Sequence, residues 1–224
     1  MRTVILASIV AVGLVRADDS VNRRLKAAED VLSEVMASSD KAIPQSLLDK
    51  SRCVVIVPGL KKGAFIFGAR FGRGFVTCRN KDGIGWTAPG SVRIEGGSVG
   101  FQAGAKETDV VLLVMNDRGV DRLLSSQFTL GGQASVAAGP VGRTASAETD
   151  ALLSAEILSW SRSRGVFAGV SLQGATLRQD LGVNRALYGR TLENQEVLSN
   201  PPEPPAAAKG LLEELNRHSS RGSR

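Results

Sequence analysis

Between residues 53 and 116, short apolar runs alternate with glycine, proline and the polar turn sequences NKDG and EGG. Short apolar runs bounded by turn residues are typical of a meander of antiparallel strands. The spacing predicts strands at residues 53–57, 64–70, 74–79, 91–105 and 109–115, with the fourth strand bent at Gly96-Gly97. Residues 110–114, VVLLV, are apolar on both faces and therefore predict a central strand.

Glycine also occurs inside these predicted strands, at Gly68, Gly72, Gly74, Gly100 and Gly104. A glycine in a strand interior weakens the strand and usually marks a bulge, a tight bend or the close approach of another backbone. We therefore expect the antiparallel sheet to curl strongly, into a barrel-like shape or a half barrel.

Before the sheet region, apolar residues recur with helical spacing over residues 20–39. The positions are Val21, Leu25, Ala28, Leu32 and Val35. This spacing predicts an amphipathic helix with Asp19 or Ser20 as its N-cap. Charges of both signs alternate on the other face, as on a solvated surface. The predicted fold class is α+β, with this N-terminal helix packed on the glycine-rich curled sheet.

Further elements are predicted on both sides of the sheet region. Pro44 is predicted to open a short turn of helix at residues 43–48. A short helix is predicted at residues 117–124, with Asn116 as its N-cap. The glycine-rich strand pattern returns at residues 128–143. Further strands are predicted at 151–161 and 165–177, with a partly helical conformation as the alternative for 151–161, and residues 184–189 predict a turn or short helix.

The two ends of the chain differ from the middle. Residues 1–17, MRTVILASIVAVGLVRA, have a basic start, an apolar stretch and a small residue before Asp18-Asp19, which predicts a cleaved signal peptide. An uncleaved anchor or a core helix is the alternative. No cysteine follows the apolar stretch, so a lipid-modified N-terminus is not expected there. Residues 200–224 are predicted to be a proline-rich linker and a polar tail.

Charge and composition narrow the function only slightly. The formal net charge is +6 and the sequence pI is about 9.7, with Arg2 and Arg16 inside the predicted leader. A mild positive balance suits an anionic surface as partner, but it is also common in proteins that bind nothing charged. Aromatic residues make up 4% of the chain, so the side chains that usually stack on nucleic acid bases are scarce and nucleic acid is not an expected partner.

The sequence offers little catalytic chemistry. His218, the single histidine, lies in the predicted tail, which disfavours Ser-His-Asp or Cys-His nucleophiles and histidine-based zinc sites. The acidic residues of the sheet region fall at turns or strand ends, where they are typically solubilising. They are Asp82, Glu95, Glu107 and Asp109. We expect no catalytic residues, no metal site and no cofactor; an enzyme that uses carboxylates or a serine is the third alternative.

Two cysteines, Cys53 and Cys78, lie in apolar strand contexts one hairpin apart. In an exported chain they could form a disulfide across the sheet. Two buried free thiols are the alternative. No Cys-x-x-Cys sequence is present, so neither case indicates redox catalysis.

The basic residues occur in two groups. The first contains Lys61, Lys62, Arg70, Arg73, Arg79 and Lys81, and the second contains Arg162, Arg164, Arg178, Arg185 and Arg190. If both groups meet at one rim of the curled sheet, they form a site for phosphate-bearing ligands. Lys61-Lys62 are expected in a loop beside apolar residues, as a lipid headgroup site requires. The predicted lipid-binding residues are Lys61, Lys62, Arg70, Arg73, Arg162, Arg164 and Arg185. A solvated positive surface is the alternative.

Several motifs occur in a recognisable order. They are IPxxLL at residues 43–48, GWTAPG at 85–90, GPVGR at 139–143, SWSRSRGVFAGVSL at 159–172 and NRxxYG at 184–189. Together they closely resemble the SYLF domain, a family found in eukaryotic lipid- and actin-binding proteins and in exported bacterial proteins. The resemblance covers about residues 21–198, within a domain assigned to residues 18–199.

The resemblance implies a non-enzymatic domain that binds anionic phospholipids. In eukaryotic members an N-terminal amphipathic helix often contacts the membrane, and residues 21–36 occupy the matching place. We therefore expect an exported protein, periplasmic or extracellular and possibly peripheral to a membrane, that binds anionic phospholipid at a surface of the cell envelope. A structural or protein-interaction module of the envelope without lipid specificity is the alternative.

Overall fold

The computed structural model describes residues 5–37, 43–64, 67–99, 104–141, 154–163, 166–170 and 172–220. Its helices are α1 (Ile5–Ala37), α2 (Gln45–Lys50), α3 (Asp117–Leu124), α4 (Leu181–Tyr188), α5 (Asn194–Ser199) and α6 (Lys209–Ser219), with a 3-10 turn at Ala206–Ala208. The strands are β1 (Cys53–Ala64), β2 (Phe67–Cys78), β3 (Gly90–Val99), β4 (Gly104–Val114), β5 (Gln127–Thr129), β6 (Val136–Ala138), β7 (Ile157–Ser163), β8 (Val166–Gly169) and β9 (Thr176–Gln179).

The strands form one curled sheet, so the α+β half-barrel fold predicted from the sequence is confirmed. In the described part of the chain the sheet has nine strands in the order β5-β9-β3-β2-β1-β4-β7-β6, with β8 paired to β7. Every pairing is antiparallel except that of β6 with β7, so the sheet is mixed rather than purely antiparallel. A bridge between Leu130 and Ala134 in the β5–β6 connection brings the two ends of the sheet together.

Each face of the sheet carries its own apolar core. Along β1, Val55 and Val57 point to the inner face of the curl, where Val76 of β2 and Phe128 of β5 pack. Ile56 points to the outer face, where α1 and α6 pack. This alternation follows the period of two in a strand and explains why β1 and β4 are apolar on both faces.

A bulge interrupts the regular pairing of β1. The pairing register with β2 shifts between Ile56 and Lys61, and Gly59 in this bulge has φ +61°. Opposite the bulge, a Cβ atom on Gly74 would lie 2.0 Å from the backbone oxygen of Ile56. Only glycine allows the two backbones to approach this closely, so the glycine-rich sequence does produce a bend.

Several predicted strand boundaries were wrong. The runs at 53–57 and 64–70 are not separated by a loop, because β1 continues through the bulge to Ala64, and Lys61 and Lys62 therefore lie in a strand. The runs at 64–70 and 74–79 belong largely to β2, and the run at 91–105 divides between β3 and β4. The glycines that suggested turns between these runs, such as Gly72 and Gly74, lie within continuous strands of the curled sheet.

Helix α1 begins earlier than predicted. It has no N-cap at Asp19 or Ser20, because the helix is continuous from Ile5. Its predicted apolar stripe is confirmed: Val21, Leu25, Ala28, Leu32 and Val35 are all buried. Within the described residues, no helix is long and apolar enough to cross a membrane.

The C-terminal segment is part of the fold, which corrects the expectation of a polar tail. Helix α6 packs on α1 and buries Leu211, Leu212 and Leu215. Arg79 donates from Nη1 to the backbone oxygen of Ser219 at 2.7 Å, and the Trp86 ring donates from Nε1 to the same oxygen at 2.9 Å. The end of α6 is therefore held by side chains of the β2–β3 connection.

Helix α3 has the predicted bounds, and the side chain of Asn116 accepts a hydrogen bond from the Gly119 N–H at 3.0 Å. The segments predicted at 128–143, 151–161 and 165–177 contain five shorter strands, β5 to β9, in their described parts. Residues 184–188 belong to α4, which starts three residues earlier, at Leu181, and Gly189 is its C-cap.

Candidate functional site

Three arginines lie side by side on the outer face of the sheet. Arg73 of β2 is directly opposite Arg93 of β3, and Arg93 is directly opposite Arg178 of β9. We call Arg73, Arg93 and Arg178 the arginine row. Like charges directly opposite one another on a sheet destabilise it unless nearby anions compensate, so this arrangement requires an explanation beyond the fold.

Carboxylates compensate the arginine row only in part. Arg73 Nε lies 3.0 Å from Asp180 Oδ2, while Glu95 lies 2.9 Å from Arg93 and 3.4 Å from Arg178. Arg24 of α1 adds a fourth guanidinium. Burial first, and then repulsion from Arg73, lowers the pKa of Arg24, and Asp180 opposes that change. Four guanidinium groups thus share two carboxylates, and the surplus positive charge can attract an anion.

An exposed aromatic ring borders the arginine row. Phe71 of β2 is 45% exposed, and the Arg73 guanidinium lies 5.6 Å from the centre of its ring. Lys61 of β1 is directly opposite Phe71 and is itself exposed. Phe71, Lys61 and the arginine row together are called the outer patch below. The outer patch combines cations with one apolar group, which is the chemistry of a membrane interface.

The predicted lipid-binding residues that the structure describes are divided between the two faces of the sheet and α4. Lys61, Arg73 and Arg162 lie on the outer face of the sheet, whereas Lys62 and Arg70 lie on the inner face, because adjacent strand residues point to opposite sides. Arg185 is exposed on α4. Arg164 lies outside the described residues. The described members of this set therefore do not share one face of the sheet, and their role in lipid binding stays a prediction.

Arg162 is held inside the fold. It lies 2.8 Å from Asp109 of the neighbouring strand β4 and also forms an ion pair with Glu34 of α1. Its side chain is only 18% exposed. Arg162 therefore links α1 to the sheet and has little capacity left for a ligand.

Two members of the arginine row were not among the predicted ligand residues: Arg93, and Arg178, which belongs to the second basic group of the sequence. Their proximity depends on the register of β2, β3 and β9, and β9 follows β3 by about eighty residues. The alternation of side chains along a strand shows which residues of that strand share a face. Only the pairing register between strands places Arg73 and Arg93 opposite each other.

The family motifs have structural roles in this chain. Trp160 packs against Gly139 and donates from Nε1 to the backbone oxygen of Pro140 at 2.9 Å. Asn184 accepts from the Ser91 N–H at 2.8 Å, and the Tyr188 hydroxyl donates to the Pro89 oxygen at 2.7 Å. Burial raises the pKa of Tyr188, so this hydroxyl stays protonated and remains a donor. These motifs thus specify the fold rather than the ligand.

Arg79 is also structural. Besides Ser219, it donates to the backbone oxygen of Leu48 at 3.1 Å, and its guanidinium lies 3.9 Å from the Trp86 ring centroid. Burial lowers the pKa of Arg79 to about 10, which is far enough above neutral pH for the side chain to stay charged. A charged, buried guanidinium surrounded by carbonyl acceptors and a ring is well suited to hold α6.

Cys53 and Cys78 are directly opposite each other on β1 and β2, and the structure joins them in a disulfide. Cys53 is fully buried and Cys78 nearly so. The bridge links the two strands at the end far from the β1–β2 turn and faces the inner core. Cys53 precedes the start of the register shift, at Ile56, by three residues.

The described residues contain no cluster of three or more His, Cys, Asp or Glu side chains that could hold a metal ion. His218 Nε2 lies 3.0 Å from Glu214 Oε1, one turn away on α6. The imidazole therefore has a structural partner within its own helix.

The apolar stripe of α1 is not available as a membrane contact in this structure. The resemblance implied that an N-terminal amphipathic helix could touch the membrane. Here Leu25, Leu32 and Val35 are completely buried between the sheet and α6. The outer patch, rather than this stripe, is the exposed surface that combines charge with an apolar ring.

Comparison with known proteins places the chain in a family. A family model described as "Ysc84: Las17-binding protein actin regulator" matches residues 95–218, which is more than half of the chain. The chain belongs to the Ysc84 family, the SYLF family. The resemblance seen in the sequence motifs is thereby confirmed, and the match includes helix α6.

Individual relatives are eukaryotic proteins. The chain is 38% identical over 181 residues to the SH3 domain-containing protein PJ696.02 of Schizosaccharomyces pombe, covering 80% of this chain and 42% of that protein. It is 35% identical over 178 residues to the SH3 domain-containing YSC84-like protein 1 of Rattus norvegicus, covering 79% and 52%. It is 35% identical over 179 residues to Protein YSC84 of Saccharomyces cerevisiae, covering 78% and 37%. The chain thus spans about half or less of the length of these relatives.

Proposed function

We propose that the chain binds anionic phospholipid through the outer patch and that it does so without catalysing a reaction. The observation that carries this proposal is the arginine row, with its surplus of positive charge beside the exposed Phe71. Membership in the Ysc84 family supports an interaction function, with protein or lipid as the partner. An export route to a membrane surface of the cell envelope would supply the anionic lipid.

The chemistry of the outer patch fits a lipid headgroup. A guanidinium group can donate two parallel hydrogen bonds to a phosphate, and three of them in a row can contact neighbouring phosphates. Phe71 can lie at the boundary between headgroups and acyl chains, where aromatic rings are favoured. Each cation near an anionic membrane surface contributes about 1 kcal/mol to binding, so the outer patch would supply several such increments.

Liposome cosedimentation tests this proposal. Binding is expected to rise with the fraction of phosphatidylserine or phosphatidic acid and to fall as salt screens the surface charge. The double variant Arg93→Gln, Arg178→Gln should weaken binding about tenfold or more, because it removes two of the increments. The matched control Arg190→Gln removes an exposed arginine charge outside the row and should change binding less than twofold. Equal binding to neutral liposomes, or equal loss in the control, contradicts the proposal.

A protein partner is the second candidate, and the family description supports it. That description names Las17 binding and actin regulation. The outer patch also suits an acidic protein surface, since arginine and aromatic residues are enriched at the centres of protein interfaces. Indifference to liposomes, combined with arginine-row-dependent capture of one defined acidic partner, would favour this candidate over the lipid surface.

We further propose that the chain is exported, with cleavage after Ala17, to a periplasmic or extracellular location at the periphery of a membrane. The buried α1 side chains that the structure describes, from Val21 onward, all lie after Ala17, so cleavage would leave them in place. Mass spectrometry of the protein from each cell fraction should find a chain that begins at Asp18 outside the cytoplasm. An uncleaved chain confined to the cytoplasm contradicts this expectation.

A further inference from the structure

A second cationic position lies on the inner face of the sheet, on the side opposite the outer patch. Arg70 of β2 is directly opposite Lys62 of β1, and Lys62 is also directly opposite Lys106 of β4 in the register. Three basic residues thus occupy one row across three adjacent strands. Both Lys62 and Arg70 are partly exposed, so solvent and solutes can reach this edge.

Arg70 differs from the arginines of the outer face. Arg73, Arg93, Arg178 and Arg162 each have a carboxylate partner. Arg70 has no carboxylate partner in the described part of the chain, and its Nε and Nη1 atoms are buried without a hydrogen-bond acceptor there. The Nε atom of Arg93 is also buried without a hydrogen bond, but Glu95 lies 2.9 Å from it. Buried donors are almost always satisfied in folded proteins, so two buried guanidinium nitrogens with neither an acceptor nor a carboxylate beside them indicate a bound species that completes them.

The surroundings of Arg70 favour an anion as that species. On the neighbouring strand β3, the residue directly opposite Arg70 is Gly96. Because glycine has no side chain, the row is open at this position. The next inward positions, Leu60 of β1 and Ile94 of β3, are completely buried apolar residues. The row of Arg70 therefore borders the apolar inner core, where an oxyanion would interact more strongly than in water.

We propose that Arg70, with Lys62 beside it, binds a phosphate-sized oxyanion: inorganic phosphate or the phosphomonoester group of a lipid headgroup. The anion accepts hydrogen bonds from the unsatisfied nitrogens of Arg70. The site is separate from the outer patch because the two lie on opposite faces of the same strands. It therefore does not depend on the proposed membrane surface.

Isothermal titration calorimetry with the full chain tests the site directly. Inorganic phosphate is titrated at constant ionic strength, and the wild type should bind one equivalent saturably. Arg70→Met should weaken this binding about tenfold or more, because charge-assisted hydrogen bonds are lost. Arg190→Gln is the matched control and should keep its affinity within about twofold, since Arg190 is an exposed arginine outside both the outer patch and the row of Arg70. Absence of saturable binding, or the same affinity in Arg70→Met, overturns the proposal.

Two further measurements keep the test decisive. Without phosphate, Arg70→Met should unfold at a higher temperature than the wild type, because the unsatisfied buried donors are gone. A lower unfolding temperature in phosphate-free buffer shows that Arg70 is satisfied by the fold and overturns the site.

Monomeric dihexanoyl phosphatidic acid identifies the source of the anion. Tighter, Arg70-dependent binding of this lipid assigns a lipid headgroup, and equal affinities assign free phosphate. The liposome assay tests Arg93 and Arg178, whereas the phosphate titration tests Arg70. The outer-patch proposal and the Arg70 proposal can therefore fail independently.

Discussion

Replacing Leu215 with alanine is expected to lower the free energy of unfolding by about 2–5 kcal/mol, the usual cost of removing a fully buried leucine side chain. Leu215 is completely buried, in the core that α6 shares with α1. The end of α6 is fixed by Arg79 and Trp86, so the helix cannot shift to fill the resulting cavity. Urea unfolding followed by circular dichroism measures the change.

The control for this variant makes the same chemical change at an exposed position. Leu181, at the start of α4, is 38% exposed, and Leu181→Ala should change stability by no more than about 0.5 kcal/mol. A similar small effect at Leu215 would mean that α6 is not part of the cooperative unit. In that case the C-terminal segment would behave as the tail that the sequence predicted.

The C-terminal helix shows why sequence patterns failed at the end of the chain. The segment LLEELNRHS contains only three leucines, follows a proline-rich stretch and ends in polar residues. Its apolar stripe is too short to predict a packed helix, because such a helix is stabilised mainly by its tertiary partner. That partner is α1, about 180 residues earlier in the chain, and no local signal connects the two.

Helix α1 and the central strand β4 were predictable because their signals are long or unambiguous. Five apolar residues at helical spacing fixed the buried face of α1, and the VVLLV run of β4 fixed a strand buried on both faces. The glycines of β2 were ambiguous, since a glycine permits both a turn and a tightly bent strand. The pairing with β1 decides between these, and pairing is a property of the fold.

The position of each predicted site residue depends on the strand register even more strongly than the strand boundaries do. Lys61 and Lys62 are adjacent in sequence, yet they point to opposite faces of β1, and their neighbours on β2 are Phe71 and Arg70 respectively. A cluster that looked continuous in the sequence therefore divides into the outer patch and the inner position of Arg70. Charge counting identified the basic segments, but it could not assign each residue to a face without the β1 bulge, which resets the alternation.

The bulge leads to the prediction with the largest steric effect: Gly74→Ala should lower the free energy of unfolding by about 3 kcal/mol or more. The added methyl group would lie 2.0 Å from the Ile56 oxygen and 2.7 Å from the Val57 Cα atom. Both are backbone atoms of a paired strand, so they cannot move aside as a flexible side chain would. Relief requires β1 and β2 to separate at the point where the sheet bends.

Gly182→Ala is the matched control for this prediction, and it should have the opposite sign. Gly182 is exposed in α4, and the nearest atom to an added Cβ is Asp180 Oδ1 at 3.5 Å, an ordinary contact. Alanine is favoured over glycine in a helix, so this variant should be about 0.5 kcal/mol more stable than the wild type. Urea unfolding of both variants measures the difference. If Gly74→Ala is as stable as Gly182→Ala, the close approach of β1 and β2 does not hold the curl, and the separation of the outer and inner cationic faces loses its structural basis.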